Sequence, residues 1–177
     1  MLCWIGPGLG WPKEGPFLNA GLGLGFITSS TKLSFLPTRR NKFEIPIDVR
    51  IGYGLSERLI LHLAAESNWY QDAFGNLGSK TFYQNIYGVG GTYYLYDSSP
   101  SIFLIGTVGL GMLDILETAK PAEYGRGTSL GFGAEIVKHF NVHGSFTFLN
   151  TRKTLVPNLT SRTNTVVFRV LVSLNWY

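Results

Sequence analysis

Residues 43–55 read Phe43-Glu44-Ile45-Pro46-Ile47-Asp48-Val49-Arg50-Ile51-Gly52-Tyr53-Gly54-Leu55. Every odd position is apolar, and every even position is charged, proline or glycine. The period is two, as expected of a β-strand with one apolar face. At about 3.4 Å per residue the stretch covers roughly 40 Å, long for a globular strand but suited to a tilted membrane crossing.

Seven further segments follow the same logic. In 17–27, Leu18, Ala20, Leu22, Leu24 and Phe26 oppose Asn19, Gly21, Gly23 and Gly25. In 58–70, Leu59, Leu61, Leu63, Ala65 and Trp69 oppose His62, Glu66 and Asn68. Tyr83, Tyr87, Val89, Tyr93 and Leu95 oppose Gln84, Gly88, Gly90 and Thr92. Segment 101–113 sets Leu104, Val108, Leu110 and Met112 against Thr107, Gly109 and Gly111, with Ile105 out of step. Leu130, Phe132, Ala134 and Ile136 oppose Gly131, Gly133 and Glu135; Val142, Phe146 and Phe148 oppose His143, Ser145 and Thr147. Last, Val166, Phe168, Val170, Val172, Leu174 and Trp176 oppose Arg169, Ser173 and Asn175. These eight strands are joined alternately by long connections (28–42, 71–80, 114–126, 151–164) and short ones at 56–57, 97–100 and 138–140. An even strand count with short turns at one rim and long loops at the other predicts an eight-stranded antiparallel up-and-down transmembrane β-barrel, with both termini at the short-turn rim, which would be periplasmic.

Composition narrows the alternatives. The chain has 177 residues, 45% hydrophobic and only 15% charged, which excludes a disordered chain. No uninterrupted apolar run reaches the length of a transmembrane helix. The net charge of +4 is too mild to imply nucleic acid. The single cysteine, Cys3, excludes an internal disulfide, and beside Trp4 and Ile5 it reads as a small apolar residue. The division expected is a segment 1–14 on the periplasmic side and a barrel over 15–177. Residues 1–14 lack an ordered basic region, apolar stretch and cleavage site of a secretory signal. Their tryptophans, Trp4 and Trp11, suit an interfacial anchor or a homo-oligomer contact.

A soluble lipocalin-type barrel would also alternate. Its less apolar face, however, would meet water and carry Lys, Glu, Ser and Thr. Here that face is glycine-rich, and glycine on an exposed strand packs nothing. Inside a narrow eight-stranded barrel, glycine leaves room for the side chains that fill the lumen. The apolar face, with Trp69, Tyr83, Tyr93 and Trp176 near strand ends, is therefore the outer, lipid-facing one.

The run Leu130-Gly131-Phe132-Gly133-Ala134-Glu135, the hairpin into 142–148 and the closing strand 168–177 resemble the small eight-stranded outer-membrane barrels of OmpA-like type, in bacteria with two membranes. The resemblance covers about 160 residues. It implies outer-membrane lipid and the barrel-assembly machinery as partners, the latter reading a C-terminal alternation that ends on an aromatic ring. Here Phe168, Val170, Val172, Leu174 and Trp176 alternate and Tyr177 sits one place beyond, so either final ring fits that role. No peptidoglycan-binding domain is expected after the barrel, so that anchoring role is not implied.

Three constellations carry chemistry. Lys32, Arg39, Arg40 and Lys42 in one long connection, and Arg152, Lys153 and Arg162 in another, share a sector of the rim once strands 1 and 8 pair. Seven cations with no acid among them suit lipopolysaccharide phosphates or another polyanion. Glu44, Asp48, Arg50, Glu66, Glu135 and Arg169 face the lumen, where they pair to plug it or line a narrow channel. Ser145, His143 and Glu135 supply the parts of an acyl-transfer site. Lipid A deacylases use a His-x-Ser-Asn run; here Phe146 stands where the Asn would be. Gly21-Leu22-Gly23-Leu24-Gly25 resembles a phosphate loop, but no helix follows it. No cofactor or metal is expected. The function expected is a structural or surface-interaction protein rather than an enzyme, with a lipid hydrolase and a narrow passive channel as alternatives.

Overall fold

The structure, a computed structural model, describes residues 13–33, 36–73, 79–97, 99–115, 122–156 and 159–177. Eight strands run in chain order: β1 (Gly15–Leu33), β2 (Leu36–Gly54), β3 (Leu59–Ala73), β4 (Ser79–Tyr94), β5 (Ser101–Ile115), β6 (Glu123–Val137), β7 (Phe140–Val156) and β8 (Leu159–Trp176). Each pairs antiparallel with its neighbours, and β1 pairs with β8 to close an all-β barrel. Closure pairs every strand on both sides, which satisfies most backbone groups internally, as a lipid environment demands.

The register fixes the shape. Cross-strand partners followed once round the wall run Tyr53, Leu61, Gly91, Gly106, Leu130, Phe146, Phe168, Phe26 and back to β2 at Phe43, ten residues from the start. A stagger of that size tilts the strands and leaves an interior only wide enough for side chains. The faces divide as the alternation predicts. Leu24 is 74% and Phe43 83% exposed on the outside, whereas Asp48 and Arg169 are fully buried inside.

One expectation needs correcting. Two of the long connections are almost wholly strand, since β1 continues to Leu33 with β2 resuming at Leu36 and β7 continues to Val156 with β8 resuming at Leu159, while strands enter 71–80 and 114–126 only at their ends, to Ala73 and from Ser79, and to Ile115 and from Glu123. Past the membrane both faces of a hairpin meet water, so the apolar alternation stops while the hydrogen-bond ladder does not. Ile105, out of step in the sequence, is buried inside with Phe17, Ile60, Tyr94 and Phe103.

The lumen is layered. That apolar cluster, joined by Tyr177, fills the short-turn end. Ile27, Tyr70, Phe82 and Val167 fill the long-hairpin end, with Tyr70 and Phe82 stacked at 5.1 Å. Charged and amide side chains occupy the space between. At the turn rim, Arg58 clamps Asp97 through Nε to Oδ1 at 2.5 Å and Nη2 to Oδ2 at 3.0 Å, holding the exposed Asp97 carboxyl below the usual carboxylate range.

The wall loosens at one place. β1 and β2 are paired on either side of Gly23–Leu24 but not there, opposite Ile45–Pro46. Proline has no N–H to give the ladder. Just beyond, β2–β3 pairing ends at Ile45 and Trp69, although β2 stays paired to β1 as far as Leu36.

Candidate functional site

The lumen holds a continuous ion-pair network. Arg169, fully buried, donates from Nη2 to Glu66 Oε2 at 2.5 Å and Ser129 Oγ at 3.1 Å, and from Nε to Ser145 Oγ at 3.1 Å. Arg50 pairs with Asp48 and lies 3.9 Å from Glu66 Oε1, linking Asp48, Arg50, Glu66 and Arg169. His143 Nε2 stands 3.7 Å from Asp48 Oδ2. Glu44 and Arg169 flank Gly25 across the wall; a Cβ on Gly25 would lie 2.5 Å from Glu44 Oε1. Glycine is needed there because the space is already taken.

Glu135 belongs elsewhere. At the turn rim its Oε2 lies 3.2 Å from Lys13 Nζ, and its Oε1 accepts from the Tyr177 hydroxyl at 2.7 Å. Lys13 also sits 3.7 Å over the Tyr94 ring. The residue two places before β1 therefore closes the barrel from below; residues 1–12, including Cys3 and the two tryptophans, lie outside the described residues. Ser145, His143 and Glu135 are not assembled as a nucleophile, base and orienting acid. Ser145 accepts from Arg169, His143 faces Asp48, and Glu135 is committed to Lys13 and Tyr177. Of the two terminal rings, Trp176 is the outward one at 49% exposure, while Tyr177 stacks on Phe17 inside.

The seven rim cations divide by strand parity. Lys32, Arg39, Arg152 and Arg162 point outward and are exposed; Arg40, Lys42 and Lys153 are half-buried on the opposite face. Arg152 is directly opposite Arg162, and Arg162 directly opposite Lys32, so three cations run side by side across β7, β8 and β1. Arg126, also exposed, faces Asn150 on the same sector. With the Asn150 amide oxygen turned toward it, Arg162 donates to Asn150 from Nε at 3.2 Å and Nη2 at 3.1 Å. Like charges in direct opposition destabilise a sheet unless something negative lies over them. Six residues down the same faces, Phe146, Phe168, Phe26 and Phe43 form an aromatic row, the first two 5.0 Å apart and the last two 5.7 Å. The cations thus stand about 20 Å further along their strands than the rings.

Lys13, Arg126 and the inward turn of Tyr177 stand outside the candidate features taken from the sequence. Arg126 was readable, since it shares parity with Leu130 and Phe132; Lys13 precedes any alternation and gives no signal.

No family model and no curated protein sequence matches the chain. Solved structures do match. Ail, the attachment invasion locus protein of Yersinia pestis, in complex with the heparin analogue sucrose octasulfate, superposes with a TM-score of 0.50 at 10% identity, over 91% of this chain and 99% of that one. Neisserial surface protein A gives 0.50 at 16% identity over 89% and 99%. The outer membrane protein AlkL in lipid bilayers gives 0.52 at 11% identity over 99% and 96%. The chain has the fold of the small eight-stranded outer-membrane barrels.

Proposed function

We propose that the protein is a non-conducting, non-enzymatic outer-membrane barrel with its termini periplasmic, whose outward basic band holds phosphates of lipopolysaccharide. The observation that carries this reading is the row Arg152, Arg162 and Lys32, with Arg39 and Arg126 alongside. Such a row is destabilising until anions offset it, and guanidinium groups take phosphate oxygens two at a time. The band stands above an aromatic row of the kind that marks a membrane interface, where phosphorylated lipid heads lie. The polysulfated ligand on Ail is of the same chemical class. The filled lumen supports the absence of conduction, and the separation of Ser145 from Glu135 argues against hydrolysis.

The test is binding of purified lipopolysaccharide to the refolded barrel in detergent. Replacing Lys32, Arg39, Arg152 and Arg162 with Gln is expected to weaken binding by about 100-fold or more and to flatten its salt dependence. The inward set, Arg40, Lys42 and Lys153 to Gln, is expected to change it little. Equal losses from both sets would refute the reading, and steady unitary currents in planar bilayers would refute the closed lumen.

A further inference from the structure

Where β2 and β3 part, the wall opens on a cavity of about 630 Å³. Its lining is divided. Leu24, Phe43 and Trp69 face lipid, whereas Glu44, Gln71 and Thr81 supply polar atoms. Pro46 interrupts the β1 ladder beside it, and the β3 ladder stops one residue away. Glu44 is only 3% exposed, yet its Oε2 has no hydrogen-bond partner among the described residues. Its Oε1 takes one donor, the Asn68 amide at 3.3 Å once that amide is turned. A buried carboxyl oxygen without a partner is costly, and the cost falls when a donor reaches it. Lys42, at the upper lip, already has an interaction of its own.

The cavity is a pocket, not a tunnel. Tyr70 forms its back and is stacked on Phe82, and Ile27 and Val167 complete that apolar layer. Volumes of about 300–1,000 Å³, apolar for the most part with a few convergent polar groups, are those of small-molecule sites. We propose that this fork binds a single-chain amphiphile from the surrounding lipid, its alkyl chain along Leu24, Phe43 and Trp69. The head is a hydrogen-bond donor, a hydroxyl or an ammonium, placed against Glu44. A carboxylate head has no hydrogen to give it.

Trp69 reports on occupancy. In detergent micelles, 11-bromoundecanol is expected to quench the fluorescence of the refolded full chain saturably, and Trp69→Phe to remove the saturable component. Headless 1-bromododecane is expected to need about tenfold more for the same effect, as is the alcohol against Glu44→Leu. Leu24→Trp, which fills the cavity from the lipid side and leaves the lumen untouched, is expected to displace unlabelled dodecanol and dodecylamine seen by native mass spectrometry. Dodecanoate is expected to bind no better than dodecane. Quenching that never saturates, or that is the same with and without the head group, means simple partition into the micelle and overturns the proposal. So does binding that survives both Glu44→Leu and Leu24→Trp.

Discussion

Arg169 is where the lumen can be broken most cleanly. Its guanidinium is wholly buried and answers Glu66 at 2.5 Å, with Ser129 and Ser145 each at 3.1 Å. Arg169→Met keeps the volume of the stem but leaves Glu66 with only Arg50, 3.9 Å away and already paired to Asp48. Breaking one side of a buried pair typically costs about 3–5 kcal/mol, because the remaining charge stays desolvated. With a urea slope of about 2 kcal/mol/M, the unfolding midpoint in lipid vesicles should fall by about 1.5–2.5 M. Removing the pair together tells a different story. Arg169→Met with Glu66→Met leaves Asp48 and Arg50 as a self-contained neutral pair, so much of the loss is expected to return. The double-mutant cycle should give a coupling of about 2 kcal/mol or more. Tryptophan fluorescence through the urea transition measures all four proteins. If Arg169→Met costs less than about 1 kcal/mol, or the two losses simply add, the lumen is solvated enough to screen its charges and the plugged interior is wrong.

Adjacent glycines test which face is which. At Gly90 a Cβ would press into the backbone carbonyl oxygen of Gly106 and lie 2.7 Å from His62 Nε2, so Gly90→Ala should destabilise by about 1–3 kcal/mol in the same urea assay. At Gly91 it meets nothing closer than 3.6 Å, and Gly91→Ala should stay within about 0.5 kcal/mol. Tyr177→Phe strips Glu135 of its 2.7 Å hydroxyl donor and should lower stability by about 1–3 kcal/mol without slowing insertion, whereas Trp176→Ala should slow insertion into vesicles. Asp97, held below its ordinary value by Arg58, contributes its clamp fully above about pH 4 and loses it only as pH falls through the lowered value. Hydrogen exchange at the Leu55–Leu59 turn should therefore be flat, after correction for intrinsic rates, from about pH 9 to 5 and rise only in acid, with Asp97→Asn giving the opened behaviour at pH 7. Ester-linked lipid substrates should be cleaved no faster by the wild-type chain than by Ser145→Ala.

The strands were legible because lipid enforces one rule along every one of them: a polar side chain cannot face it. That rule is why Phe43 to Leu55 alternates without a break, whereas on β5 the inward-facing Ile105, Leu113 and Ile115 fall out of step with the outer face. The same rule hides everything it does not govern. Thr28, Ser29, Ser30 and Thr31 stay in a ladder with β2 and β8, yet their side chains carry no apolar period, so the strand ends sat among the loops. The lumen charges could be collected by parity but not paired. Nothing local says that Glu66 meets Arg169, 103 residues away, or that Glu135 turns to Lys13 and Tyr177 rather than to His143.

Those pairings also explain why filling the barrel and the proposed recognition of lipid draw on different residues. Parity assigns Arg50 and Arg169 to the interior, where each is matched by a carboxylate, and Arg152, Arg162 and Lys32 to the exterior, where they stand in direct opposition to one another. Inside, an uncompensated charge would unfold the wall. Outside, the same imbalance is tolerated because solvent and counter-ions screen it until a polyanion replaces them. A cation moved by one position would exchange these roles. Lys42→Ile with Asn41→Lys carries one charge from the half-buried face to the outer one beside Phe43. If the band is a lipid-phosphate site, this swap should tighten lipopolysaccharide binding at unchanged net charge. If the protein's overall basicity alone draws the lipid, binding should stay where it was.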